Sequence, residues 1–262
     1  VADRPIGKIG SPYLFLEETT STHFYALQWL AETDPAHGSV VSADFQSAGV
    51  GQNDRSWFSD PGKNLLLSII LRLDGLAASD LFRMNMAFAL CVRETIVPCC
   101  PLPEAISIKW PNDVLVGNRK IAGILVKNSL SENKVQHTLF SLGLNVNQPS
   151  FPEHLSGACS LAMVSGREWP RQQLESSLFS HLEECLELLY HAPETLEKAY
   201  FDLLYGKDQA LTFQKIDSGQ FFTGTITGIS SHGELMVACN ALGGIQRFRQ
   251  GEILFVKDAV FT

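Results

Sequence analysis

Two lysines, an asparagine and an aspartate crowd one stretch, Lys109-Trp110-Pro111-Asn112-Asp113-Val114-Leu115-Val116-Gly117-Asn118-Arg119-Lys120-Ile121-Ala122-Gly123-Ile124-Leu125-Val126. An ammonium group offsets the charge of an anionic substrate. A carboxylate holds or accepts a proton, and a carboxamide offers both a donor and an acceptor. A lysine beside a hairpin turn is ordinarily solvated, so its position alone says little. The composite says more. Lys120 is followed by Ile-Ala-Gly, where small residues let a ligand or another backbone come close.

The elements that must hold these groups are legible. Ile106 to Trp110 is β-branched and aromatic and reads as a strand, which Pro111 stops by removing a ladder donor. Asp113 to Val116 is a second short strand. Gly117-Asn118 is a hairpin-turn signal. Ile121 to Val126 reads as a strand buried on both faces. The charged groups are thereby placed at the ends of paired strands.

Upstream, Tyr13 to Leu16 predicts a strand. Ser21 or Thr20 then caps a helix carrying Phe24, Leu27, Leu30 and Ala31 at helical spacing. Hydroxyls and free N–H groups at such a start suit a polar ligand. Ser39 to Phe45 predicts a strand opening into Gln46-Ser47-Ala48-Gly49-Val50-Gly51-Gln52-Asn53-Asp54-Arg55-Ser56-Trp57. That run is too small and polar to build a core and predicts a mobile loop at a strand end. Gly49-x-Gly51 lacks the third glycine of a dinucleotide fingerprint and the Gly-Lys-Ser/Thr of a P-loop. Asn64 to Leu73 predicts a buried strand. Ser79-Asp80 caps a helix to about Val97, ended by Pro98. Met84 and Met86 belong to its core face.

Downstream, His137 to Asn145 predicts a strand whose polar end, Gly143-Leu144-Asn145-Val146-Asn147, faces a site or simply leaves the sheet. Ser156 to Leu161 predicts a loop of small residues. Pro170 opens an amphipathic helix to about Tyr190, and Pro193 another to about Leu204. From Gly206 the texture changes to short strands and frequent glycines, at Thr223–Ile229, Gly233–Val237, Gln246–Phe248 and Gly251–Phe255. That pattern predicts a small antiparallel barrel.

The chain has 262 residues, 45% hydrophobic and 18% charged, which is enough for a sizeable core. A net charge of −8 with no basic run argues against nucleic acid and anionic membranes as partners. No apolar stretch has the length of a membrane span. The N-terminus, Val-Ala-Asp-Arg-Pro, lacks the apolar region of a signal peptide and does not begin with Met. Six cysteines at 91, 99, 100, 159, 185 and 239 form no Cys-x-x-Cys, and the seven histidines form no His-x-x-x-His. No metal site is predicted, and the cysteines read as free thiols of a reducing cytoplasm.

Lys-Trp-Pro-Asn-Asp followed by Arg-Lys-Ile-Ala-Gly-Ile-Leu resembles the central signature of the biotin protein ligases, and the resemblance extends over nearly the whole chain. Ser21-Thr22 resembles the family's Ser-Thr-Asn, with His23 in place of Asn. Gln46 to Gly51 resembles its biotin-binding loop, with Val50 where the family usually has Arg. Asn53-Asp54 replaces a stretch usually basic or glycine-containing, whereas Arg55 and Trp57 match. Gly143-Leu144-Asn145 resembles the Gly-Ile-Asn strand end, and Gly251-Glu252-Ile253 the small terminal domain. The implied fold is α+β: a mixed sheet with helices over residues 1–205, then a small SH3-like barrel over 206–262. Because family-like sequence begins by Tyr13, the resemblance is to a form without the DNA-binding domain.

The activity implied is an ATP-dependent ligase. Biotin carboxylate attacks the α-phosphorus of ATP, accompanied by Mg²⁺, and the biotinyl-adenylate is then attacked by a lysine of a carboxylase's biotin carboxyl carrier domain. Lys120, Lys109 and Asp113 are the implied catalytic residues, Lys120 where carboxylate and phosphate meet and Asp113 to orient or deprotonate the acceptor amine. Ser21, Thr22, His23, Gln46, Gly49, Val50, Gly51, Gln52, Lys120 and Gly123 are implied for biotin. Arg55, Trp57, Lys109, Asn112, Lys120, Asn145 and Ala158 are implied for ATP and adenylate, the two asparagines as amide donors and Trp57 stacking on adenine. The implied state is a cytoplasmic monomer or weak homodimer. Alternatives are a lipoate or octanoate ligase of the same fold, a non-catalytic biotin-binding regulator, and a metabolite-binding protein. Against octanoyl transfer, no cysteine sits beside these motifs.

Overall fold

The computed structural model describes residues 8–52, 55–239, 241 and 243–256. Strands β1 (Tyr13–Thr19), β2 (Ser39–Gln46), β3 (Leu65–Leu71), β4 (Ile106–Lys109), β5 (Asp113–Val116), β6 (Arg119–Ser131) and β7 (Lys134–Leu144) form one sheet. Its order is β1-β2-β3-β7-β6-β5-β4. Only the β1–β2 pair is parallel. Helix α1 (Thr22–Thr33) lies on one face, while α2 (Leu81–Ile96), α4 (Arg171–His191) and α5 (Pro193–Asp202) lie on the other.

Side-chain alternation along the strands assigns the faces. Leu67, Ile69, Phe140 and Leu142 point into the large core with Phe88 of α2 and Leu178 and Leu182 of α4. On the opposite face, Val41, Ile70 and Leu139 pack under Ala26, Leu27 and Leu30 of α1. That helix covers only part of its face. Register continues the row from Ile70–Leu139 to Ser68–Ser141 and then to Leu66–Gly143. Gly143 in turn faces Gly123 on β6. The uncovered part of this face is therefore polar, then nearly bare of side chains.

Several boundaries move. Ser21 is the cap of α1, its Oγ accepting from His23 N at 3.2 Å. β1 runs on to Thr19, and β6 from Arg119 to Ser131 as a hairpin with β7. Asp80 stands at the N-cap of α2, but its carboxylate turns back to Ala77 N and to Arg83. The predicted small-residue loop ends in a short helix, α3 (Leu161–Ser165), capped by Ser160.

The terminal segment forms a five-stranded antiparallel sheet of β8 (Ala210–Lys215), β9 (Phe221–Ile229), β10 (Leu235–Cys239), β11 (Gly244–Phe248) and β12 (Ile253–Phe255). Its order is β11-β10-β9-β8-β12, and among the described residues it does not close into a barrel. β8 has no counterpart in the sequence reading. Trp110 joins the two sheets: its indole is buried and donates to Gly233 O at 2.9 Å.

Candidate active site

A cavity of about 400 Å³ opens over the bare part of the large sheet. That size suits a small-molecule ligand. Fifteen of the residues singled out from sequence line it: Ser21, Thr22, His23, Gln46, Val50, Gly51, Gln52, Arg55, Trp57, Lys109, Asp113, Lys120, Gly123, Asn145 and Ala158. Two do not, Gly49 and Asn112. Asn112 is buried, and one N–H of its amide donates to Ile124 O, which ties it to β6. Gly49 acts through backbone space: a Cβ there would stand 2.8 Å from Trp57 O.

Lys120 reaches the cavity because β6 is irregular. Leu115 faces Lys120 but Val114 faces Ala122, so Ile121 is an extra residue in the ladder. Such a bulge re-aims the side chains on either side of it. Lys120 and Gly123, three apart, consequently share the cavity side. The Lys120 ammonium lies 2.7 Å from Asp113 Oδ1 and 5.6 Å from the centre of the Trp57 ring. Both partners of the ion pair are about one third exposed, at 37% and 30%. A pair that wet contributes at most about 1 kcal/mol to stability. What it provides is a fixed charge at the cavity floor. The Lys120 backbone is clamped to the loop beyond β7, with Lys120 N on Gly157 O at 2.8 Å and Cys159 N on Lys120 O at 2.9 Å. This places Ala158 beside it.

Trp57 lies on the glycine pair. A Cβ at Gly143 would stand 2.3 Å from the indole, and one at Gly123 would stand 2.9 Å from it. The two glycines make room for a flat group, and Trp57 fills it. Its Nε1 is buried with no hydrogen-bond partner. The run before Trp57, predicted as a loop, folds back as a hairpin. Val50 bridges Ser56, Gly51 N donates to Arg55 O, and Trp57 N donates to Gly49 O. The departures at Asn53-Asp54 lie outside the described residues. Gln52 reaches Ile124 O and receives a hydrogen bond from Gln250, tying the hairpin to both sheets.

At the inner end, Gln46 Oε1 accepts from Thr22 N at 2.7 Å and Thr22 Oγ1 at 3.0 Å. Ser68 bonds Thr22 Oγ1 at 3.0 Å and Ser141 Oγ at 2.8 Å, and His23 Nδ1 meets Ser141 Oγ at 2.8 Å. Burial, with Lys127 nearby, lowers the His23 pKa to about 4. The ring is therefore neutral at neutral pH. Ser68 and Ser141 went unnoticed in sequence; a lone hydroxyl within Leu-Leu-Leu-Ser-Ile-Ile-Leu was the available signal.

At the outer end, Asn145 donates through Nδ2 to Cys159 O at 3.0 Å, leaving Oδ1 buried without a partner. Lys109 Nζ lies 5.0 Å from the centre of the Phe255 ring. Tyr205, Leu211, Thr212, Phe255 and Val256 supply a wall from the terminal segment. Nothing in the spacing of those short strands pointed toward the site. Among the described residues no three His, Cys, Asp or Glu gather as metal ligands.

A mixed sheet with helices, followed by a small antiparallel sheet, is a fold shared with solved biotin protein ligases. The structure of "Biotin protein ligase from Aquifex aeolicus in complex with biotin and ATP" matches with a TM-score of 0.75 at 24% identity, covering 95% of this chain and 100% of that one. Residues 15–147 match the Biotin/lipoate A/B protein ligase family, and the chain belongs to that family. It is 31% identical over 185 residues, 70% of its length, to the bifunctional ligase/repressor BirA of Bacillus spizizenii. It is 30% identical over 168 residues, 63% of its length, to the biotin–[acetyl-CoA-carboxylase] ligase of Mycobacterium tuberculosis. The matched regions span 54% and 60% of those two relatives.

Proposed function

We propose that this chain is an ATP-dependent biotin–protein ligase acting in the cytoplasm on the carrier domain of a biotin-dependent carboxylase. The observation that carries the reading is the Lys120 ammonium, held by Asp113 over the Gly123–Gly143 floor, between a neutral hydrogen-bonding end and a wall from the terminal sheet.

Biotin is an apolar body with a neutral ureido head and a carboxylate tail. Its head suits the amide and hydroxyls of Gln46, Thr22 and Ser21. Its tail then lies toward Lys120. ATP enters as the magnesium complex, its adenine toward Trp57 or Phe255. A carboxylate oxygen attacks the α-phosphorus, the mixed anhydride forms, and pyrophosphate leaves with the electron pair of the broken P–O bond. Both reactants are anions, so Lys120 offsets their repulsion and the charge that develops on the α-phosphoryl oxygens. Lys109 and Arg55 add positive charge. The paired segments 49–52 and 55–57 keep water from the anhydride.

In the second step a neutral lysine amine of the carrier domain attacks the activated carbonyl. The C–O bond to phosphate breaks and AMP leaves. Asp113 orients the amine and takes its proton. Lys120, released from that pairing, stays on the leaving phosphate.

The lipoate-ligase reading is tested in the same experiment. A dithiolane head makes no use of the amide and hydroxyls at the inner end. The carrier domain, incubated with this protein, ATP, Mg²⁺ and either biotin or lipoate, is followed by intact mass. A gain of one biotinyl group supports the reading. A gain with lipoate alone moves the assignment to the other branch of the family, and a gain with neither leaves a binding protein.

A further inference from the structure

The inner end of the cavity is a chain of five side chains with very few protons to share. Its direction follows from one fixed point. Thr22 N–H donates to Gln46 Oε1, which identifies that atom as oxygen and not as the amide nitrogen. An oxygen accepts only, so the Thr22 hydroxyl, also on Oε1, spends its single proton there. Thr22 Oγ1 can then only accept, and Ser68 must donate to it. The Ser68 proton is used, so its contact with Ser141 is made by the Ser141 proton. That leaves Ser141 Oγ as the acceptor toward His23, and Nδ1 must carry the hydrogen. The reverse polarity would set Thr22 Oγ1 and Gln46 Oε1 lone pair to lone pair at 3.0 Å, a cost that a buried site magnifies.

We infer that Ser68 and Ser141 are positioning residues that hold His23 as the Nδ1–H tautomer, so that its Nε2 lone pair accepts a hydrogen bond from an N–H of the bound cyclic urea. This rests on the biotin reading of the site and extends it to selectivity. Ser68 is fully buried and Ser141 nearly so, at 7% exposed, and in register they face each other across β3 and β7. They sit at the boundary where the apolar row under α1 gives way to the cavity floor. A hydroxyl pair there has no packing rationale, since Ile70 and Leu139 fill the equivalent row one step away. His23 lines the cavity and sits on β7's side of the row. A histidine locked as an acceptor demands a ligand that donates. A urea N–H does so; a dithiolane does not, nor does a urea alkylated at the nitrogen that faces His23. Gln46, whose oxygen is occupied, keeps its Nε2 donors for the urea carbonyl.

The test has two readouts. In ¹⁵N-histidine-labelled protein without ligand, at neutral pH, long-range proton–nitrogen correlation reports which ring nitrogen carries hydrogen, and His23→Asn assigns the signal. The expected result is protonated Nδ1 and bare Nε2 in the wild type, with the preference lost in Ser68→Ala and in Ser141→Ala. Calorimetry then compares biotin with biotin methylated at either ureido nitrogen. The wild type should prefer biotin over one of the two analogues, and that preference should fall about tenfold in Ser68→Ala, Ser141→Ala and His23→Leu alike, the size of one hydrogen bond to a neutral acceptor. A protonated Nε2 in the wild type overturns the inference. So does selectivity that survives both serine variants. A wild-type chain that does not bind biotin overturns the functional reading instead, and the tautomer result still judges the relay.

Discussion

Lys120 Nζ lies 2.7 Å from Asp113 Oδ1 although the two residues do not face each other in the ladder. Asp113 faces Gly123, and Lys120 faces Leu115 across the Ile121 bulge. The lysine side chain runs forward along its own strand to lie over Gly123, where a Cβ would be 3.1 Å from its ammonium. A glycine, a bulge and an aspartate together hold one cation where a small anion can approach.

If Asp113 serves the acceptor amine, Asp113→Asn separates the two steps. Adenylate formation should persist, because Lys120 keeps its place beside the carboxamide oxygen. Transfer from preformed biotinyl-adenylate to the carrier domain should slow by about a hundredfold, the usual size of a lost general base. Single-turnover transfer measures it, and an unchanged rate contradicts the assignment.

The glycine pair under Trp57 gives a graded steric prediction. Gly143→Ala puts a methyl 2.3 Å from the indole, and Gly123→Ala puts one 2.9 Å from it with the flexible Lys120 end at 3.1 Å. The first should cost about 1–3 kcal/mol and the second less. Adding Trp57→Ala should remove most of the Gly143→Ala penalty, a coupling that a double-mutant cycle in denaturant reads directly.

His23 makes stability pH-dependent. The unfolded chain protonates this histidine below its ordinary value of 6.5, and the folded chain only below about 4. Between those values the unfolded state binds more protons, so stability falls as pH falls across that window and levels off below it. Its size is on the order of a few kcal/mol. Urea unfolding from neutral pH downward should show this loss in the wild type and lack it in His23→Asn.

Val50 lines the cavity at the start of the hairpin, at a position where the resemblance read from the sequence implies arginine. Val50→Arg should add a cation near the adenylate. The intermediate should dissociate about tenfold more slowly, with little change in the rate of its formation. Release of biotinyl-adenylate into a trap measures it, and an unchanged rate shows the position to be neutral.

Much of this was legible in the sequence. Apolar and β-branched runs bounded by Pro111 and Gly117 marked the strands around Lys109 to Val126, and capping hydroxyls or prolines marked the helices elsewhere. The motif residues Lys120, Asp113, Gln46 and Thr22 do come together. Two kinds of feature were hidden. The Ile121 bulge arises from pairing between strands, and a single strand's pattern carries no trace of it. Ser68 and Ser141 meet only because β3 and β7 are neighbours in that register, 73 residues apart in the chain. The asparagines show a third limit: their residue types stood out in the sequence, but their bonds to Ile124 O and Cys159 O depend on tertiary contacts that no local pattern carries.

The most direct test of the central claim is biotin-dependent exchange of labelled pyrophosphate into ATP, run on the wild type, Lys120→Ala and Lys120→Arg. The expected result is exchange by the wild type only when biotin is present, a loss of about a hundredfold or more in Lys120→Ala, and partial recovery in Lys120→Arg, with biotin binding retained in all three. Exchange that persists in Lys120→Ala at the wild-type rate would contradict the placement of the chemistry at Lys120.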